Sequence, residues 1–259
     1  MVDYREAMEF ARHLAWHTGR QLLKAFGEIK ATHKADGTLV TQADVDADRI
    51  IARMLRGRYP DHGIVSEELS TVYRGESYVW VVDPLDGTAN FSWGLPIWSV
   101  AIALLHRGYP VVGVVHLPAL RQTFYAARGE GAFLEGRPLR LNPPTAFTAD
   151  HLYTACTRTM RRYRFRVAAK PRILGSAAYN LALVAQGVAV AGMELTPKVW
   201  DVAASWVLVE EAGGVIGCPD GESHFPLHPG VDLNARPVTT AAAVSPALYE
   251  TFIASRQRL

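Results

Sequence analysis

Residues 80–90, Trp80-Val81-Val82-Asp83-Pro84-Leu85-Asp86-Gly87-Thr88-Ala89-Asn90, decide how this chain is read. From Tyr78 to Val82 every residue is apolar or aromatic, the texture of a short strand buried in a core. That strand delivers Asp83 to its C-terminal end. Pro84-Leu85-Asp86-Gly87 then reads as a turn, because Pro presets φ and Gly accepts backbone angles closed to other residues. The turn is expected to fold Asp86 back toward Asp83, with Thr88 two residues on. A simple turn would account for Pro and Gly, but two carboxylates beside an apolar strand repel each other unless a cation or proton lies between them. Hard divalent cations take such oxygen donors, and Mg²⁺ usually combines one or two carboxylates with water and substrate phosphate.

Around this segment the pattern is of strands. Ser99–Leu105, Val111–His116 and Thr123–Ala126 follow, separated by Gly and Pro, and Phe133 and Leu139 flank a hairpin turn at Glu135-Gly136. Consecutive strands without helices between them predict an antiparallel sheet. Upstream, Ala7, Phe10, Ala11, Leu14 and Leu22 keep helical spacing. Thr41-Gln42-Ala43-Asp44 opens a second helix, with Thr41 as N-cap and Asp44 at N3, that runs to Gly57 and Pro60. Downstream of residue 145, strands and helices alternate. Leu152–Cys156, Val188–Met193, Val215–Ile216 and Thr239–Val244 are strands. Ser176–Gln186, Asp201–Ala212 and the segment opened by Ser245-Pro246 are helices. The expected architecture is a helix pair, an antiparallel sheet, then an α/β layer. Residues 1–144 form an α+β part and residues 145–259 an α/β part. Between Cys218 and Val238 lies a 21-residue stretch with four prolines, read as a long loop.

Composition narrows the classes. The chain has 259 residues, 49% of them apolar by type, 27 basic and 25 acidic side chains and two cysteines. This excludes disorder, a disulfide scaffold and a Cys-rich zinc site. No stretch reaches the length of a membrane-spanning helix, and the charged N-terminal residues do not resemble a signal peptide, so a cytoplasmic protein is expected. The net charge of +2 hides an asymmetry. Arg158–Arg172 holds seven cations and no acid, which leaves 20 basic and 25 acidic residues elsewhere.

Three further acidic positions bear on the first pair. Ser66-Glu67-Glu68 follows the short strand Gly63–Val65, and on exposure statistics a Glu-Glu pair is ordinarily solvated surface. Asp201, after Trp200, could be an N-cap, and Asp44 could belong to a capping box. Taken together, the segments Leu39–Asp44, Ile64–Glu68, Val82–Phe91 and Val199–Ala204 followed by Glu211–Gly214 resemble the inositol monophosphatase family of Mg²⁺-dependent, lithium-sensitive phosphatases, over essentially the whole chain. The resemblance implies a five-layer α-β-α-β-α sandwich, with an antiparallel N-terminal sheet and a mixed C-terminal sheet, and a homodimer.

The resemblance also implies roles. Glu67 and Asp83 would bind a first metal with help from the Leu85 carbonyl. Asp83 would bridge to a second held also by Asp86 and Asp201, and a third, weaker metal near Glu67 would make two or three Mg²⁺ per subunit. Thr88 and Asp44 would orient and deprotonate the attacking water; Glu68 carries no ligand role, and Lys34 falls near this water network. Asp86, Gly87, Thr88, Gly175, Ser176, Ala177, Glu194 and Asp201 would contact substrate, with Glu194 accepting from its hydroxyls; Glu194 could otherwise be a surface residue and Ser176 an N-cap. The implied reaction is hydrolysis of a small phosphorylated metabolite by direct water attack, with myo-inositol 1-phosphate first. Fructose 1,6-bisphosphate, histidinol phosphate, 3′-phosphoadenosine 5′-phosphate and NADP are alternatives.

Some features depart from that picture. Ala89 replaces a Thr or Lys common in relatives, and Phe91–Trp98 carries two tryptophans suited to core or interface packing. The 218–238 stretch, rich in His and Pro, does not match the family's pattern. The basic stretch admits a reading from another class, nucleic-acid binding with Tyr163 and Phe165 stacking on bases. Without a recognisable RNA-binding motif a solvated basic face is the better expectation, so nucleic acid and membrane are not expected partners. A third reading is attraction of an anionic substrate.

Overall fold

The computed structural model describes residues 2–33 and 39–259; Lys34 lies outside them. Helix α1 (Tyr4–Leu22) starts at Asp3, whose carboxylate accepts from the Arg5 and Glu6 amides, and it buries Ala7, Ala11, Leu14, Ala15 and Leu22. Strands β1 (Thr32–His33) and β2 (Leu39–Val40) pair antiparallel ahead of α2 (Gln42–Arg58). The expected capping box of α2 is present, and its buried stripe of Ala43, Ala47, Ile51 and Leu55 also contains Asp44 and Asp48. Two acids on an apolar face need local partners, and these appear at the site.

The first sheet has seven strands in sequence order: β3 (Gly63–Ser66), β4 (Tyr78–Asp86), β5 (Ser99–His106), β6 (Tyr109–Leu117), β7 (Gln122–Ala127), β8 (Gly131–Leu134) and β9 (Arg137–Leu139). It is antiparallel except at its β3 edge, which runs parallel to β4. The chain between Ser66 and Tyr78 crosses back without a helix, so strand spacing alone did not reveal the parallel pair. The inner strands are buried on both faces, which is why they read as continuous apolar runs. On one face lie α1 and α2.

The second sheet is mixed. It contains β10 (Leu152–Ala155), β12 (Lys170–Arg172), β13 (Ala191–Glu194), β14 (Val215–Gly217) and β15 (Thr240–Ala243), in the order β12-β10-β13-β15-β14. Between the sheets sit α5 (Ala177–Ala185) and α6 (Val199–Glu211), and α7 (Pro246–Ala254) covers the outer face. The layers therefore run α-β-α-β-α, as expected. A hydrophobic cluster continuous from Val65 and Phe124 through Trp200 to Phe252 crosses residue 144 and joins the halves. Helix α6 lies against β6 because Gly113 has no side chain; a Cβ there would collide with the Ala204 backbone.

The basic stretch is not one face. It comprises α4 (Thr157–Arg162), β11 (Tyr163–Phe165), which pairs with β16 (Arg256–Arg258), and β12. Phe165 is buried and stacks on Phe252, so it is not available to bases. Trp98 is core, ringed by Phe26 and Phe91, whereas Trp93 is 88% exposed.

Candidate active site

The Asp83–Asp86 segment does not turn where the sequence suggests. Strand β4 continues through Asp86, pairing Asp83 with Ala101 and Asp86 with Ser99, so three steps on β4 match two on β5. The extra residue is a bulge containing Pro84, which has no N–H to give to the ladder. The bulge re-aims Asp86. The reversal follows at Gly87, whose φ is +94°, and opens the short helix α3 (Thr88–Ser92). A Cβ at Gly87 would press on the Ile97 and Gly175 carbonyls.

Asp44 and Thr88 are brought together from distant sequence. Thr88 Oγ1 donates to Asp44 Oδ1 at 3.0 Å, and the other Asp44 oxygen accepts from the Thr41 amide (2.8 Å) and hydroxyl (2.5 Å). Asp44 thus serves the capping box with one oxygen and faces Thr88 with the other. Burial raises its pKa, against the hydrogen bonds from Thr41 and Thr88.

Asp83 is buried, and its Oδ1 accepts from the Leu85 amide at 3.0 Å. Burial first, then the charges of Glu67, Asp86 and Asp201, raise its pKa well above the usual carboxylate range. Asp201, partly buried, is raised by burial and by Glu67 and Asp86. It is not an N-cap; it stands at the third position of α6 and accepts from the Lys198 amide at 2.8 Å. Glu67 is partly buried beside β4, its amide bonded to the Val82 carbonyl. Asp86 turns to α5: it accepts from the Ala177 amide (3.1 Å), the Ala178 amide (2.9 Å), the Ser99 hydroxyl (3.3 Å) and the Ser176 hydroxyl. Ser176 also caps α5 through the Tyr179 amide, so the N-cap reading holds.

Among the described residues no Lys or Arg pairs with Asp83, Asp86 or Asp201, and no group of three His, Cys, Asp or Glu side chains is already gathered as a metal-holding cluster. Buried carboxylates that raise one another's pKa suit hard cations, because a divalent ion removes the repulsion that otherwise holds protons on them.

Asp86, Gly175, Ser176, Ala177, Glu194 and Asp201 line one cavity of about 280 Å³, shared with Cys156, Thr157, Arg158 and Asn180. Glu194 is buried at the end of β13, not on the surface. It accepts from Asn180 Nδ2 at 2.7 Å and from the Cys156 thiol, and burial pushes its pKa up to about 8.

Three supporting residues escaped the sequence reading. Asp48, one helical turn after Asp44, is fully buried and accepts from the Glu68 amide at 3.1 Å, so it holds the segment that carries Glu67; burial raises its pKa to about 6. The i, i+4 spacing from Asp44 was the available signal. Asn90 donates to the Ile97 (2.6 Å) and Leu174 (2.7 Å) carbonyls and so fastens the turn before α5 to α3. Lys198 reaches the Asn234 carbonyl, which docks the long loop on α6, while the Gly230 and Leu233 amides bond to the Tyr73 and Thr71 carbonyls. The 218–238 segment is thus an ordered strap between the chain after Glu67 and the helix of Asp201.

The chain is thus a layered α-β-α-β-α sandwich with a cleft lined by Asp86, Glu194 and Asp201, a fold that by itself does not give the chemistry. The comparisons give the particular family. The model of the inositol monophosphatase family matches residues 3–259. A fructose-1,6-bisphosphatase/inositol-1-monophosphatase of Thermotoga maritima is 33% identical over 222 residues, 82% of this chain and 84% of that protein. An inositol-1-monophosphatase of Mesorhizobium japonicum is 36% identical over 221 residues, covering 80% and 83%. The solved structure of a Thermotoga maritima IMPase superposes with a TM-score of 0.83 at 28% identity, covering 96% of each chain. The chain belongs to the inositol monophosphatase family and is a phosphoric monoester hydrolase.

Proposed function

We propose that this protein is a Mg²⁺-dependent phosphomonoesterase of small polyol and sugar phosphates, with myo-inositol 1-phosphate as the first substrate to test, working by direct attack of water. The observation that carries this is the Thr88–Asp44 hydrogen bond beside the buried Asp83 and Asp86. Glu67, Asp83, the Leu85 carbonyl, Asp86 and Asp201 would hold two or three Mg²⁺ ions. When bound, Mg²⁺ neutralises these carboxylates, draws charge from the phosphate oxygens and makes a water easier to deprotonate.

The remaining work belongs to the chain. Thr88 Oγ1 accepts a hydrogen bond from the attacking water and passes a proton to Asp44 Oδ1. The raised pKa of Asp44 suits it to hold that proton. Thr41 keeps the carboxylate oriented. The Gly87 and Thr88 amides supply donors to a phosphate oxygen. Gly175, Ser176 and Ala177 border the substrate, and Glu194 addresses its hydroxyls. In-line displacement needs positioning and charge neutralisation more than a covalent enzyme intermediate. We also propose lithium sensitivity, a cytoplasmic setting and a homodimer, for which exposed Trp93 and Leu95, beside the Leu174 segment that Asn90 tethers, offer an apolar face.

The test is phosphate release from inositol 1-phosphate, fructose 1,6-bisphosphate, histidinol phosphate, 3′-phosphoadenosine 5′-phosphate and NADP, with Mg²⁺ and with added Li⁺. Mg²⁺-dependent release that Li⁺ suppresses is expected. Absence of release from all of them, or trapping of a phosphoenzyme, overturns the reading.

A further inference from the structure

Of the seven cations between Arg158 and Arg172, Arg158 alone lines the carboxylate cleft. Arg166 bonds to Gln257, and Arg161, Arg162, Arg164, Lys170 and Arg172 are exposed away from that lining. Arg158 lines, with Cys156 and Thr157, the cavity that also holds Asp86, Glu194 and Asp201, and among the described residues it is the only basic side chain in that lining. Its Nη1 donates to Thr196 Oγ1 at 2.8 Å. One hydroxyl leaves most of the five guanidinium N–H donors available. Among the described residues no carboxylate pairs with it.

This arrangement has a chemical consequence, which rests on the phosphatase reading above. With the reacting phosphate beside Asp86 and Asp201, a sugar-sized substrate in a cavity of about 280 Å³ carries its far end toward the rest of the lining, of which Arg158 is part. A guanidinium anchored by one N–H presents a planar fork that matches a phosphate or carboxylate, and it repels an ammonium group. We propose that Arg158 is the specificity-determining residue for the group remote from the reacting phosphate: it favours substrates carrying a second oxyanion, leaves neutral polyols intermediate and opposes cationic ones.

The experiment measures kcat/KM of the full chain with Mg²⁺ on fructose 1,6-bisphosphate, myo-inositol 1-phosphate and histidinol phosphate. These carry a second anion, a neutral remainder and an ammonium group. The wild type should rank them in that order. Arg158→Gln should lower the ratio of bisphosphate to histidinol phosphate by about ten-fold or more, the value of a charged hydrogen bond. Arg158→Glu should lower it further, and Arg158→Lys should retain part of it. Added KCl should compress the wild-type ratio, because an exposed charge is screened, and this holds the test even where a variant folds poorly. A ratio unchanged in Arg158→Gln, a parallel fall for all three substrates, or a wild-type preference for the ammonium substrate overturns the assignment. Release from none of the three would instead mark failure of the phosphatase reading, and this inference would fall with it.

Discussion

Thr88 donates its hydroxyl to Asp44 across 3.0 Å, joining the helix after the bulged strand to the first turn of α2. The same Asp44 closes the cap of α2 through Thr41, so the geometry of the pair is held by the helix itself. Because Thr88 also lies 3.2 Å from the Leu85 carbonyl, its hydroxyl sits where the bulge, the turn and α2 meet.

Replacing Thr88 with Ala should therefore remove proton transfer with little effect on binding. We expect kcat to fall by about 10²–10⁴-fold, the range for loss of general base catalysis, with KM nearly unchanged. Thr88→Ser should recover most of the loss. Steady-state kinetics on one phosphomonoester check this, and an unaltered kcat in the Ala variant would remove the pair from the mechanism.

Asp86→Asn separates charge from capping. Asn can keep the oxygen that accepts from the Ala178 amide and the Ser176 and Ser99 hydroxyls, but it turns an NH₂ toward the Ala177 amide, so stability should fall by only about 1–3 kcal/mol, the cost of one unsatisfied buried donor. Activity should fall by more than the roughly 10–100-fold typical of an outer partner of a metal site. Full activity in this variant would refute the carboxylate site.

The raised carboxylates set a direction for stability against pH. An acid whose pKa is higher folded than unfolded stabilises the fold at low pH, and that stability is lost as pH rises through the folded value. Asp48, near 6 against an ordinary 3.8, and Glu194, near 8 against 4.5, place the loss between weakly acidic and weakly basic pH. With a chelator present, thermal melts should show a falling melting temperature across that window. Mg²⁺ should raise it more at about pH 8 than at about pH 5, because the ligands must give up protons to bind metal. An equal Mg²⁺ shift at both pH values would contradict this.

Gly113→Ala tests the layer contact that sets the cleft. The new methyl would meet the Ala204 backbone of α6, which cannot move aside as a side chain can. Overpacking of this kind costs about 1–3 kcal/mol, and a displaced α6 carries Asp201 with it. Chemical denaturation should show the loss, together with a higher Mg²⁺ requirement for activity; a variant as stable as the wild type would mean α6 is not seated on β6.

Much of this molecule was determined locally. The Thr41–Asp44 box, the Ser176 cap, the Glu135-Gly136 hairpin and the continuous apolar strands each depend on residues within a few positions of one another, so their spacing reports them directly. The resemblance carried the acidic positions as a set for the same reason: each sits in a short motif. Tertiary structure alone decided the rest. The bulge at Pro84 arises from register against β5, which turned an expected reversal into continued strand. Asp86 caps a helix 90 residues away, Phe165 is enclosed by α7, and one of the seven cations between Arg158 and Arg172 reaches the cleft. Those outcomes depend on which surfaces pack together across the layers; hydrophobic burial is non-directional, so local spacing shows that a face is buried but not which face it meets.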